Sequence, residues 1–192
     1  MKLWLLRHAQ VLVPPGVCYG ASEVQVDLAA TQAAAELFAE CPAPGCTVWT
    51  SPAERTQLLA AALLSRRNDL QGPLVDARLR EMDFGQWALK PWSDIPRQAV
   101  NDWTDDFARH RFGGNESTQE VIDRVAQAMD SAVAQAVSEM VWITHAGVIR
   151  AVQFLVEGGL RPIQSASDWP VSAPAMGTWM CIQVTPPHAP SH

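Results

Sequence analysis

Short apolar runs alternate with longer amphipathic stretches along the chain. Residues 2–6 (KLWLL) form an apolar run that stops abruptly at Arg7-His8 and predict a buried strand. A Pro/Gly-rich loop follows from Val13 to Ser22. Asp27 is placed to cap a helix through about Ala39, with Ala30, Ala34, Leu37 and Phe38 on one side; Pro42, Pro44 and Gly45 end it. Thr47 to Thr50 (TVWT) predicts a second buried strand. Ser51, Pro52 and Glu54 then read as N-cap, first helical residue and capping-box partner of a helix to about Arg67, striped by Leu59, Ala62 and Leu63. Residues 73–81 predict a short strand and its exit. Ser117 to Glu120 is a second capping box, opening a helix that carries Val121, Val125, Ala128, Met129, Ala132, Val133 and Ala136 at helical spacing. Met140 to Thr144 (MVWIT) is another buried strand, stopping at His145. Gly147 to Val156 predicts a helix ending at Gly158-Gly159, and residues 178–184 a last strand.

Strands alternating with helices predict the α/β class, with three α/β/α layers around a mostly parallel central sheet. No repeat or linker divides the chain, so residues 1–185 are expected to form a single domain, followed by a disordered tail over residues 186–192. Residues 82–116 break the alternation. They carry Trp87, Trp92 and Trp103 among short helical pieces interrupted by Pro91 and Pro96, and predict an insertion over the active site at one edge of the sheet.

Composition narrows the partners. A chain of 192 residues can bury about 70% of its unfolded surface, a core that needs no disulfide or structural metal. Lys+Arg 14 against Asp+Glu 20 gives a net charge of -6, which argues against nucleic-acid binding and against docking on an anionic membrane. No stretch reaches the roughly 18 apolar residues of a membrane span, and the apolar run before Arg7 is too short for a secretory signal. Cys18, Cys41, Cys46 and Cys181 form no metal-ligand spacing. Reduced thiols and a cytoplasmic location are expected, with a Cys41–Cys46 bridge across the intervening turn as the lesser alternative. Oligomeric state is not legible.

Three predicted strands end in chemistry. KLWLL runs into Arg7-His8, TVWT into Ser51 to Arg55, and MVWIT into His145-Ala146-Gly147. Ligands of open α/β sheets bind beyond the carboxyl ends of the strands, so parallel neighbours would bring Arg7, His8, Arg55 and His145 together. Two arginines and two histidines without a dedicated counter-charge call for an anion, and guanidinium groups match phosphate oxygens bidentately. The helices starting near Ser51 and Gly147 would aim N–H groups at the same place. The expected partner is a small phosphorylated substrate.

These residues carry a resemblance. Leu6-Arg7-His8-Ala9 resembles the first-histidine signature of the histidine phosphatase superfamily, relatives of the phosphoglycerate mutases. Ser51-Pro52-x-x-Arg55-Thr56 is similar to its second-arginine motif, Leu79 to Trp87 (LREMDFGQW) to its acid-bearing motif, and His145-Ala146-Gly147 to its second-histidine motif. The resemblance implies a phosphoglycerate mutase-like fold and a cofactor-independent, metal-free phosphatase. Its catalytic residues would be His8 as nucleophile, Glu81 as proton donor and His145, with Arg7 and Arg55 binding phosphate. The loop Gly16 to Ser22 (GVCYGAS) further resembles that of α-ribazole phosphatases, which implies α-ribazole 5′-phosphate as substrate and Cys18, Tyr19 and Gly20 as substrate-lining residues. Cys18 and Tyr19 can equally be packing for the loop.

Ala9 replaces the signature's glycine, Val11 stands where many members have a hydroxyl residue, and Ala88-Leu89 replaces a Glu-Gly pair. None removes a chemical role. A broad sugar or nucleotide phosphatase, a mutase-like enzyme and a catalytically idle phosphate-binding module stay open as alternatives. Glu54 reads as a capping partner only, and Glu116 as support for the Ser117 cap.

Overall fold

The computed structural model describes residues 1–158 and 162–185, and among them it has seven strands and five α-helices. The strands are β1 (Lys2–Arg7), β2 (Val17–Cys18), β3 (Thr47–Thr50), β4 (Gln71–Val75), β5 (Lys90–Pro91), β6 (Glu139–Thr144) and β7 (Trp179–Gln183). The helices are α1 (Leu28–Phe38), α2 (Glu54–Arg66), α3 (Arg97–Asp105), α4 (Thr118–Ala134) and α5 (Ala146–Gly158). The expected tail over residues 186–192 lies outside the described residues, as does Gly159.

The central sheet has the order β4-β3-β6-β1-β7. All its neighbours pair in parallel except β7, which runs antiparallel along β1 at the edge. It is the mixed α/β architecture with a mostly parallel sheet that the alternation predicts. The inner strands are apolar on both faces because both are covered. Leu6, Val48, Val141 and Ile143 pack with Phe38, Leu59 and Leu63 of α1 and α2. Leu3, Leu5, Trp49, Met140 and Trp142 pack with Val121, Val125, Val148 and Val152 of α4 and α5 on the other side.

Local signals hold at several ends. Asp27 accepts the Ala30 N–H at 3.0 Å and caps α1. Ser117 and Glu120 form the expected reciprocal capping box of α4. Leu37 differs. The buried stripe of α1 is Thr31, Ala34, Ala35 and Phe38, and Leu37, one helical step of about 100° off that stripe, is 67% exposed.

Within residues 82–116, two single 3₁₀ turns (Gly85–Trp87 and Trp92–Asp94) accompany α3, and β5 pairs with β2. Buried Cys18, Ile95 and Phe112 centre a small second core, with Phe84, Trp87 and Trp103 packed on it. Trp103 stacks on Phe112 with ring centroids 4.6 Å apart.

Candidate active site

The parallel neighbours β3, β6 and β1 end level with one another. Arg7 pairs with Thr144 and Thr50 with Ile143, and the ladder runs one residue further on each side. The His8 N–H donates to the Thr144 carbonyl at 2.9 Å, and the Ser51 N–H to the Ile143 carbonyl at 3.1 Å. Residues that immediately follow three separate strands therefore meet at one edge. His8 (2% exposed), Ser51 (0%), Arg55 (1%) and His145 (0%) are all buried there.

The two imidazoles lie 5.3 Å apart between centroids, and hydrogen bonds set both with the proton on Nδ1. His8 Nδ1 lies 2.8 Å from the carbonyl of Ala9 and donates its proton to it, which leaves a lone pair on Nε2. Burial lowers the His8 pKa from 6.5 to about 3; the Ala9 bond opposes this, and the charges of Arg55 and Arg7 reinforce it. His145 Nε2 lies 2.8 Å from Ser51 Oγ. That oxygen accepts the Ala53 N–H at 3.2 Å, so its hydroxyl proton is available to Nε2. Burial, aided by Arg55 and His8, holds the His145 pKa well below its usual value. Neutral His145 then carries its own proton on Nδ1.

Around this pair, buried donors go unused. Arg7 Nε, Arg55 Nε and His145 Nδ1 have no hydrogen-bond partner among the described residues. Buried polar groups are otherwise almost always paired, and each unpaired donor costs about 1–3 kcal/mol. Donors of this kind around a free imidazole lone pair match the oxygens of a tetrahedral anion. The other arginine nitrogens hold the walls: Arg55 donates from Nη1 to the Ser22 carbonyl and from Nη2 to that of Gly20, both at 2.8 Å. Arg7 Nη1 donates to the Pro174 carbonyl at 2.9 Å.

Beside the histidines opens a cavity of about 280 Å³. Arg7, Cys18, Tyr19, Gly20, Glu81, Gly147 and Arg150 are among its lining residues, as are the aromatic Phe84, Trp92, Trp103, Phe107 and Trp169. His8, Arg55 and His145 are buried next to these residues without lining the cavity themselves. Tyr19 connects the two, its ring 6.3 Å from that of His8 and 5.4 Å from the Arg55 guanidinium carbon. Cys18 is buried, and burial pushes its thiol up to about 12, so it stays protonated. Gly20 has φ +46°, and a Cβ there would meet the Met82 carbonyl oxygen and the Phe84 ring at 2.6 Å, so glycine is what lets the loop close on residues 82–84.

Glu81 is fixed at both oxygens. Oε1 accepts the Met82 N–H at 3.0 Å and Oε2 the Gly147 N–H at 3.2 Å. Gly147 is a close-approach position, since a Cβ there would stand 2.3 Å from Glu81 Oε1.

The helix starts differ from expectation. Residues 51–54 do not make a capping box: the N-cap of α2 is Ala53, with no side-chain cap bond. Ser51 serves His145, and the Glu54 N–H is taken by the carboxylate of Glu23 at 3.2 Å. Its counterpart on α5, the Gly147 N–H, is taken by Glu81. Both amides therefore hold carboxylates, as the positive end of a helix favours, rather than being left for phosphate.

Two participants carry little signal in sequence. Ser51 has the residue type and spacing of an ordinary N-cap. Arg150 stands one turn after Gly147, a spacing that shares a helix face; it lines the cavity, with Nη2 3.3 Å from the Val171 carbonyl and Nε buried without a partner among the described residues.

Comparison with known proteins agrees with the topology and the motifs. A curated relative, putative phosphoserine phosphatase 2 of Hydrogenobacter thermophilus, is 27% identical over 116 residues, covering 58% of this chain and 55% of its own length. Among solved structures, the α-ribazole phosphatase of Shigella flexneri shares the fold with TM-score 0.76 and 22% identity, covering 96% of this chain and 91% of the other. A mycobacterial glucosyl-3-phosphoglycerate phosphatase, solved with VO3, does so with TM-score 0.76 and 23% identity, covering 95% and 92%. The family model described as histidine phosphatase superfamily (branch 1) matches residues 3–172, and this chain belongs to that family.

Proposed function

We propose that the chain is a phosphomonoesterase acting on a small phosphorylated metabolite through a phosphohistidine on His8. The supporting observation is the His8 tautomer, a free Nε2 lone pair held neutral among the unpartnered donors of Arg7, Arg55 and His145. In the first step Nε2 forms a bond to phosphorus while the ester P–O bond breaks, and Glu81 gives its proton to the departing alkoxide. The guanidinium groups and His145 Nδ1–H stabilise the charge that develops on the remaining oxygens. In the second step water attacks phosphorus as the P–Nε2 bond breaks, and Glu81 takes the water proton. Phosphate and alcohol leave, and His8 is neutral again. These residues perform the cycle without a cofactor or metal.

For substrate we favour α-ribazole 5′-phosphate. The Cys18-Tyr19-Gly20 loop lines the cavity together with Glu81, and Phe84, Trp92, Trp103, Phe107 and Trp169 give it an aromatic lining suited to a planar base. A second reading rests on Arg150, whose cation in the same cavity suits a phosphomonoester with another anionic group, such as a phosphorylated hydroxy acid. Sugar and nucleotide monophosphates complete the alternatives. The proposed setting is the cytoplasm, with no nucleic-acid or membrane partner; no described helix is long and apolar enough to cross a membrane.

Rapid denaturing quench at alkaline pH with labelled substrate tests the chemistry. A labelled protein with the wild type and none with His8→Asn is the expected result; no label with either argues for an idle phosphate-binding module. Phosphate release across a panel of α-ribazole, phosphoserine, phosphoglycerate, sugar and nucleotide phosphates tests the substrate. No preference for α-ribazole 5′-phosphate overturns that choice.

A further inference from the structure

Glu81 lies on irregular chain between two 3₁₀ turns, not on a helix or strand. A catalytic group on such a segment needs support from elsewhere to keep its place. One anchor comes from the sheet, where Thr144 Oγ1 donates to the Leu79 carbonyl at 2.8 Å. The others come from the start of α4.

Glu116 precedes the N-cap of α4 and is 5% exposed. It does not take part in that cap. Its Oε2 accepts the Asp83 N–H at 3.1 Å, and its Oε1 accepts from Arg80 Nη2 at 3.2 Å. Arg124, on α4, meets the same carboxylate with two nitrogens, Nε to Oε1 at 2.8 Å and Nη2 to Oε2 at 3.2 Å. Its remaining nitrogen, Nη1, donates to the Arg78 carbonyl at 2.6 Å. The pair thus grips the chain at positions 78, 80 and 83, on both sides of Glu81. Around it, Asn115 Nδ2 donates to Asp83 Oδ2 at 3.0 Å and the Gln86 N–H to the Gly113 carbonyl at 3.0 Å. The reciprocal cap of Ser117 and Glu120 and the packed stripe of α4 make the support rigid.

We propose that Glu116 and Arg124 are positioning residues, a clamp that sets where the Glu81 carboxylate meets the leaving-group oxygen. The proposal rests on the reading of Glu81 as proton donor. A buried ion pair is poor evidence of a stabilising role in itself, because desolvation offsets much of the attraction. Bonds that close on both flanks of one carboxylate-bearing residue are better explained by geometry at that residue.

The test compares kcat/KM, which reports the phosphorylation step, for an alkyl phosphate and for 4-nitrophenyl phosphate. The alkoxide needs a proton as it leaves, and nitrophenolate does not. Glu116→Gln keeps the shape of the side chain without its charge; Arg124→Lys keeps the charge without the two-pronged contact. Each variant's melting curve confirms that assays are run on folded protein. The expected result is a loss approaching about 10²-fold on the alkyl phosphate, the scale of a 1 Å misplacement, with much less loss on the nitrophenyl ester. In a Glu81→Gln background, Glu116→Gln is expected to add little, because the group it positions is already gone. Equal losses on both substrates, or full additivity with Glu81→Gln, overturn the clamp. A Glu81→Gln variant with no preference between the substrates overturns the reading of Glu81 instead.

Discussion

Replacing Gly147 by alanine separates activity from stability at a single methyl group. Gly147 sits in the first turn of α5, and an added Cβ would stand 2.3 Å from Glu81 Oε1. An ordinary carbon–oxygen contact is about 3.3 Å, so the carboxylate must retreat by about 1 Å. It would also strain or lose the 3.2 Å bond that its Oε2 accepts from the Gly147 N–H. The moving atom ends a flexible side chain, so the fold absorbs the change, and alanine is favoured over glycine within a helix by roughly 0.5–1 kcal/mol. The melting temperature should therefore hold or rise. A proton donor misplaced by 1 Å costs about 10²-fold, or about 2.7 kcal/mol of barrier, and only where the leaving group needs the proton. The assay is kcat/KM for an alkyl phosphate and for 4-nitrophenyl phosphate, beside a thermal melt. An unchanged alkyl rate, or equal losses on the two esters, refutes the reasoning.

Acid should destabilise the fold through His8. Its folded-state pKa of about 3 lies below the unfolded value of 6.5, so the unfolded chain takes up the proton first as pH falls. Stability is complete above about 6.5 and is lost progressively towards 3, by about 2 kcal/mol at pH 5 from this residue. Urea unfolding at pH 7 and pH 5 in phosphate-free buffer should show a shallower decline for His8→Asn than for the wild type, and identical declines refute the burial argument. Ser51→Ala removes the hydroxyl that fixes the His145 tautomer, and a loss of roughly 10- to 10²-fold in kcat/KM is expected on both ester types, as for other groups that orient an active-site histidine; a wild-type rate contradicts that role. Trp92 lines the cavity and packs against Phe84 and Phe112, so Trp92→Ala should cost about 1–3 kcal/mol of stability while leaving the protein folded at assay temperature. Stacking on an aromatic base is worth about 1–3 kcal/mol, so KM for α-ribazole 5′-phosphate should rise about tenfold or more, with little change for glycerol phosphate.

The sequence by itself determined the elements whose causes are local. The doubly apolar runs at residues 2–6, 47–50 and 140–144 are legible as strands because a strand covered on both faces has no polar side to show. Asp27 and Ser117 are legible as caps because each bonds an amide only three residues away. The positions of Arg7, His8, Arg55 and His145 relative to the strand ends are equally local, and parallel neighbours bring such positions together.

What the tertiary structure decided is which partner each polar group finds. Ser51 has the spacing of a capping residue, yet its hydroxyl bonds His145, 94 positions away. Glu23 reaches the start of α2 across 31 positions, Glu116 holds Asp83 across 33, and Glu81 meets Gly147 across 66. The antiparallel course of β7 and the place of Arg150 in the cavity likewise depend on how the layers pack. A hydrogen bond is selective to within tenths of an ångström, and no periodicity along the chain encodes a distance between residues that only packing brings together. The apolar pattern could build the scaffold and carry the chemistry to one edge; the orientation of each donor and acceptor there came only with the folded arrangement.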